Sequence, residues 1–366
     1  KRTRSKAIFL LERCLRNEER ASRAMRLILL LTCLTIPVRG LLSSLTSRRW
    51  RRQAALGSGI SYVENYGIVA PKSLGQLVQI LELKGMKLSG TSADLNVHPL
   101  IIPLVLSPTG GVIGLLRWPR ASLNLDVPLV ISDQVTGAVR LLGLKVTDYV
   151  RKLAAEADFE ELEEAEAIIE LANKGLPYEK TYEAGSVKNF NRGVDRFLLT
   201  KVAAFPETYE ALTQDHISKG DVTSALITAE KYCSVFGDFG DPHVFQAKLL
   251  AKEPGYDLEA RDAARTALGK PLWTMNPGDL DGIAKLAGKQ GVEDYANALR
   301  MSYTGPSATA TKSDVALDRA ARIMDYAVLD AAVSSSSLAW DSFRAELSEL
   351  YETGLLPEVS KLVARS

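Results

Sequence analysis

Glycine recurs at positions 220, 255 and 291, which are 35 and 36 residues apart, and each is followed five residues later by an alanine: Ala225, Ala260 and Ala296. Twelve residues after each glycine stand Tyr232, Ala267 and Tyr303. Eleven before stand Tyr209, Val244 and Leu280, and eight before stand Leu212, Ala247 and Ile283. A period of this length marks a supersecondary unit copied along the chain. A helical hairpin cannot bury its apolar faces alone. Stacking on neighbours buries them, and small residues let the backbones approach where helices cross. The spacing therefore predicts helix, glycine turn, helix units over residues 205–305.

The stretch "GYDLEARDAARTALGKP", with Ala260, Ala264, Ala267, Leu268 and Pro271, resembles the second helix of a tetratricopeptide repeat. The resemblance implies stacked hairpins that present a protein-binding surface. Lys248 departs from it, standing where a small residue is usual, and the connections "CSVFGDFGDP" and "WTMNPGDLDG" are longer than the repeat needs. The same spacing resembles pentatricopeptide repeats, which would imply RNA binding. Flanking the repeats, residues 147–204 read as connecting helices. Thr147 is a candidate N-cap for a helix running to about Asn173, stopped by Gly175 and Pro177. The acidic run "DFEELEEAEAIIE" reads as a solvated face with Leu162, Ile169 and Leu171 turned inward. Residues 306–366 read as capping helices, one near Asp314 to Ala332 and a last one carrying Trp340, Phe343, Leu347 and Leu350.

Residues 57–146 have a different pattern. Short apolar runs, at Ile60–Tyr66, Gly67–Val69, Leu100–Leu106, Gly111–Leu116, Leu129–Ser132 and Ala138–Leu142, are punctuated by Gly and Pro. In "HPLIIPLVLSPTGGVIGLLRWP" two of them flank a Ser-Pro-Thr-Gly-Gly turn, which predicts a hairpin. The continuation after the glycines is strand-like and no Gly-Lys-Ser/Thr follows, so a phosphate-cradling loop is disfavoured. One helix is expected between strands, from Ser73 to Lys84, where Leu74, Leu77, Val78 and Leu81 recur at helical spacing. The fold class expected is α+β, a small β-rich domain followed by a helical-hairpin domain.

Ahead of residue 57 the chain has an apolar run of about ten residues, Leu27 to Ile36, behind Arg26. That is about half a membrane span, and it suits a secretory h-region ahead of a cut near Leu41. No Asp or Glu occurs between Glu19 and Glu64, whereas Arg39, Arg48, Arg49, Arg51 and Arg52 are interleaved with Ser and Thr. That composition marks a transit peptide. Together, residues 25–56 resemble the bipartite leader of plastid proteins in algae with complex plastids, which implies import into the plastid, to the stroma or a peripheral thylakoid position. Leu41 departs from the aromatic common after the first cut, so mitochondrial import and secretion stay open. Residues 1–24 read as an upstream or non-native segment, or a disordered one.

Setting residues 1–55 apart changes the charge. They hold fourteen of the 45 Lys and Arg and three of the 44 Asp and Glu, leaving 31 basic and 41 acidic residues, about −10. A nucleic-acid binder needs clustered basic residues, so RNA or DNA is a disfavoured partner. Of three cysteines only Cys233 remains, so no intramolecular disulfide or cysteine-rich zinc site is expected.

Catalytic signatures are scarce. His98 enters a strand before a proline, His216 precedes Gly220 by four residues, and His243 follows Asp241-Pro242. None has a Ser, Cys or metal-ligand partner at a known spacing, and each reads as a structural histidine. No zinc-protease, nucleophile-elbow or Walker run occurs, so no cofactor or metal is implied and an enzyme is not favoured. An enzyme housed in the β-rich domain would need a pocket joining His98, Arg117 and an acid such as Asp94 or Asp126. The segment "LLRWPR" offers Arg117, Trp118 and Arg120 as a candidate partner contact, because exposed Arg and Trp are the usual anchors of protein interfaces. The expectation is a non-catalytic assembly factor whose partners are proteins, such as subunits of a photosynthetic or other plastid complex. It has no transmembrane span, and peripheral membrane association is left open.

Overall fold

The computed structural model describes residues 62–88, 96–119, 127–177 and 181–365. The leader at 25–56, residues 1–24, Asp94, Arg120 and Asp126 lie outside them. The described residues fall in one compact unit.

The first helix, α1 (Leu74–Leu83), buries Leu74, Leu77, Val78, Ile80 and Leu81. Five strands follow, β1 (Lys87–Leu88), β2 (Ile101–Leu106), β3 (Val112–Leu116), β4 (Leu129–Ser132) and β5 (Val139–Gly143). They form an antiparallel meander in sequence order. The turn between β2 and β3 is the Ser-Pro-Thr-Gly-Gly hairpin, closed by Ser107 N–H on the Gly111 carbonyl at 2.8 Å. The register of β2 shifts between Pro103 and Val105, a bulge that accommodates a proline with no N–H to donate. Pro103 pairs with Gly114, where a Cβ would fall 2.4 Å from the Ile102 carbonyl oxygen, so only glycine permits this strand approach. Residues 62–64 form a helical turn, where a strand was expected.

Every residue of β3 is buried. Alternate residues point to opposite faces of a strand, and both faces of this sheet are covered. Ile102, Leu104, Ile113, Leu115 and Leu129 face a core shared with α1, α2 (Val146–Phe159) and α3 (Ala165–Asn173). Ile101, Val112, Leu116, Val130, Val139 and Leu141 face a second core built from the helices that follow. The chain is thus an α+β protein whose sheet is sandwiched between helices.

The helix expected from Thr147 to Asn173 is broken. Its N-cap is the extended Lys145, and Glu161 takes a left-handed conformation (φ 54°) between α2 and α3. The end of α2 is held by tertiary bonds: Asp158 Oδ2 accepts from Tyr182 Oη at 2.6 Å and from Gly185 N–H at 2.8 Å. Short α4 (Ser186–Phe190) and α5 (Val194–Phe197) lead through a π-helical turn into the helical array.

That array comprises α6 (Pro206–Ser218), α7 (Val222–Val235), α8 (Asp241–Leu250), α9 (Asp257–Leu268), α10 (Leu280–Leu286), α11 (Val292–Ser302), α12 (Lys312–Ser334), α13 (Arg344–Thr353) and α14 (Pro357–Ala364). Each packs on the next in sequence. Gly220 makes the turn between α6 and α7 in the left-handed region (φ 75°), and the Asp221 carboxylate caps α7 by accepting Ser224 N–H. Ala225, Ala260 and Ala296 are fully buried, as are Ala247, Ala264 and Ala267. The third unit departs from the first two. Gly291 is extended, and Tyr303 is exposed, with Arg322 stacked 3.8 Å from its ring centroid.

One buried cation joins the sheet side to the array. Lys152 on α2 reaches Glu156 at 2.9 Å and Glu207 at the start of α6, with its ammonium 4.9 Å from the Tyr149 ring centroid. Burial opposes its charge, but Tyr149 and the two carboxylates outweigh it and raise its pKa above the usual lysine range.

The C-terminal segment returns to the sheet. Asn96 donates to the Gln134 and Leu338 carbonyls, at 2.8 and 2.5 Å, and its Oδ1 accepts Trp340 N–H at 3.0 Å. Trp340, fully buried, donates its indole N–H to the Gly137 carbonyl at the β4–β5 turn. Arg344 donates to the Val97 and Val363 carbonyls, and Arg365 to that of Ile101. Among the described residues no helix is long and apolar enough to cross a membrane.

His98 lies fully buried beside this closure, its ring centroid 4.1 Å from that of Trp273 and 4.5 Å from that of Trp340. Nδ1 accepts Leu100 N–H, which places the proton on Nε2. Burial first, and then Arg344 and Arg365, hold its pKa well below the ordinary histidine value.

Two outcomes follow from these contacts. Asn96→Ala leaves one N–H and two carbonyls without their partner. It should cost roughly 2–4 kcal/mol, with amide exchange in residues 338–344 accelerating more than in α6–α9. A histidine kept neutral in the fold is protonated in the unfolded chain below about pH 6.5, so its contribution falls with pH in that range. The stability deficit of His98→Gln relative to wild type, measured by urea unfolding, should therefore shrink from pH 7.5 to pH 5, by about 2 kcal/mol.

Candidate partner-binding cleft

Strand β3 ends at Leu116, and the next two residues diverge. Arg117 turns inward and is only 6% exposed. Its N–H donates to the Leu100 carbonyl, and Nη1 donates to the Trp118 carbonyl at 2.7 Å. Burial draws its pKa below the usual arginine range, against the opposing charge of Glu358. Trp118 is half-buried. Its indole packs against Trp273 at 5.3 Å and Phe239 at 5.7 Å, and the remaining surface opens on a cleft. The expected Arg–Trp pair is therefore divided between the interior and the cleft, and Arg120 lies outside the described residues.

The cleft has a volume of about 640 Å³, within the size range of ligand pockets. The sheet side contributes Leu100, Trp118 and Pro119. The segment after α9 contributes Leu268 to Trp273, and α11, α12 and α13 contribute Tyr295, Met324 and Tyr351 among others. Tyr295 is fixed by donating its hydroxyl to the Leu268 carbonyl at 2.9 Å. The walls are mostly apolar and aromatic, with Lys270, Asp318 and Asp325 as the charged groups.

Asp325 is the unusual member. In α12, Asp325 is half-buried beside the buried Met324 and one turn from the buried Leu329, in an i, i+4 row that also holds the half-buried Leu317 and the exposed Ala321. Its Oδ1 accepts Leu272 N–H at 2.7 Å. Burial pushes its pKa up to about 7, and that one hydrogen bond only partly offsets the effect. Asp325, Trp273 and Tyr295 gave no signal in the sequence, because their convergence with Trp118 depends on contacts distant in the chain.

The sequence-flagged histidines lie elsewhere. His98 is enclosed by tryptophans, His243 Nε2 lies 3.3 Å from the Gly237 carbonyl, and His216 Nδ1 lies 3.6 Å from Asp221. Cys233 is buried against the Pro242 carbonyl and Gln246, and burial pushes its thiol up to about 12, far from a reactive thiolate. A smaller cleft of about 390 Å³ holds Arg140, Asn276 and Asp241. Burial, then Glu210, push the Asp241 carboxyl up to about 7 against the pull of Arg140. Among the described residues, no three His, Cys, Asp or Glu side chains gather as a metal site.

Comparison with known proteins gives a consistent assignment. Residues 58–201 match the PAB N-terminal family and residues 206–290 match the PAB middle domain. A protein of Arabidopsis thaliana, "Protein IN CHLOROPLAST ATPASE BIOGENESIS, chloroplastic", is 30% identical over 331 residues, covering 88% of this chain and 96% of that protein. No solved structure gives a significant match. The cleft draws its walls from both matched domains and from the helices beyond them, and the chain belongs to the PAB family.

Proposed function

We propose that this protein is a plastid assembly factor that holds a polypeptide during biogenesis of a chloroplast ATPase. The observation that carries the reading is the near full-length relationship to a protein named for that process. The form of the molecule supports it. Successive helical hairpins resembling tetratricopeptide repeats offer a binding surface, and the cleft beside Trp118 offers a half-exposed aromatic anchor set in apolar walls. Trp118 makes the contact in this reading. Arg117 fixes the loop that presents it, and Arg120 follows two residues later in the same segment. Residues 25–56 act as a two-part address that delivers the chain to the stroma or to the thylakoid surface. The excess of acidic residues beyond the leader favours a protein partner over RNA.

The test is complementation of an Arabidopsis line lacking the relative, with chloroplast ATPase content read on native gels. The chain should restore the enzyme, and subunits of that ATPase should co-purify with it. Trp118→Ala should weaken capture by about 30-fold, the loss of one interface hot spot of roughly 2 kcal/mol. Failure to restore the ATPase while the protein accumulates in plastids, or co-purification of RNA alone, would sink the reading. For the address, residues 25–59 fused to a fluorescent protein should enter plastids, and secretion of the fusion would refute it.

A further inference from the structure

The Trp118 cleft has a charge pattern that an apolar anchor site does not need. Asp325 of α12 lines it and accepts one hydrogen bond, from the Leu272 backbone. Asp318, also in the lining, is engaged by Arg322 one turn along α12. Lys270 lines the same cleft. A carboxylate removed from water is costly unless a cation or several donors meet it. Here the carboxylate is partly removed from water, and one backbone N–H meets it.

Apolar walls ending on a half-buried acid fit one kind of side chain well. Long basic residues carry three or four methylenes that pack on apolar surface and a cationic head that needs a partner. Trp118, Tyr295, Leu299 and Met324 supply surface for the stem, and the aromatic rings also attract the cation itself. The volume, about 640 Å³, leaves room for the neighbouring residues of the same peptide. Resting on the reading above that the cleft receives a polypeptide, we infer that its occupant is an extended peptide segment that inserts a long basic side chain, arginine or lysine, toward Asp325. The acidic balance of residues 56–366 favours approach of a basic segment from a distance.

The test uses the full chain labelled with 5-fluorotryptophan and two acetylated, amidated pentapeptides, Gly-Leu-Arg-Leu-Gly and its citrulline counterpart. Citrulline has the shape of arginine without the charge. Fluorine NMR, with resonances assigned by Trp118→Phe and Trp273→Phe, should show the arginine peptide shifting the Trp118 signal and binding about tenfold tighter, the usual scale of a buried charge-assisted hydrogen bond. Asp325→Asn should cut that preference to less than about twofold, since the amide keeps an acceptor for Leu272 N–H but loses the charge. Its folding has an independent check. An acid whose pKa is raised in the fold costs stability above that pKa, so the variant should melt at a higher temperature than wild type at pH 8, with the gain fading toward pH 5. A second variant, Ala321→Lys, places a competing cation one turn from Asp325 on the exposed side of α12 and should abolish the arginine preference. Equal affinity for both peptides, or a preference that survives Asp325→Asn, overturns the inference.

The two readings can fail separately. If ATPase restoration depends on Trp118 and is indifferent to Asp325→Asn, the assembly role stands and the basic side chain is wrong. If the arginine peptide binds as described and no ATPase subunit is recovered, the cleft is a basic-peptide site serving another partner.

Discussion

The sheet buried on both faces is the constraint from which the rest of the structure follows. A five-stranded antiparallel meander ordinarily leaves one face to water and shows alternating apolar and polar residues. Here β2 and β3 read as unbroken apolar runs, "IIPLVL" and "VIGLL", because both parities of each strand are inside. One face is covered locally by α1, α2 and α3. The other is covered by residues more than a hundred positions away, among them Trp273, Met324, Trp340 and Tyr351. The strands therefore need the helical array as much as the array needs them. Asn96, Trp340, Arg344 and Arg365 tie the C-terminal segment to the sheet side through hydrogen bonds to backbone N–H and carbonyl groups.

What the sequence made legible was local. The Ser-Pro-Thr-Gly-Gly hairpin, the helix at 74–83, the strand at 129–132 and the alanines five residues after Gly220, Gly255 and Gly291 are set by turn chemistry and short-range periodicity. The misses occurred where tertiary contacts override propensity. The acidic run after Asp158 has good helix formers throughout, yet the helix stops because Tyr182 and Gly185 take up the Asp158 carboxylate and Glu161 turns left-handed. Gly291 keeps the spacing of the repeat without the left-handed turn of Gly220, since Asp281 Oδ1 accepts Val292 N–H there and holds the extended conformation. The cleft was legible only at Trp118. Its other walls come from segments that periodicity describes separately and only the fold brings together.

This non-local assembly bears on how the site works. Trp118 leaves the central strand β3, the Leu268–Trp273 segment links α9 to α10, and Met324 and Asp325 belong to the long α12. A partner seated there would touch all three at once, so it would sense whether the sheet, the hairpin stack and the C-terminal helices are joined. Rigid elements on each side suit a preformed site that pays little ordering entropy on binding. His98 adds to that rigidity. Its ring packs on Trp273, the ring against which Trp118 also packs.

Two charges, the buried Lys152 and the half-buried Asp325, are met very differently by their surroundings. Lys152 is surrounded by what a cation wants: two carboxylates, the faces of Tyr149 and Phe205, and a position joining α2 to α6. Its proton is held more firmly than in water, so the fold gains from the charge. Asp325 is half-buried with a single backbone donor beside mostly apolar walls, and desolvation pushes its carboxyl up to about 7. Among the described residues, apart from Lys270 and Asp318, the cleft lining carries no other charge, and the fold supplies Asp325 with one hydrogen bond, from Leu272 N–H. A half-buried acid with a single backbone donor, facing an open cleft, is the group that the basic-side-chain reading of the cleft calls on.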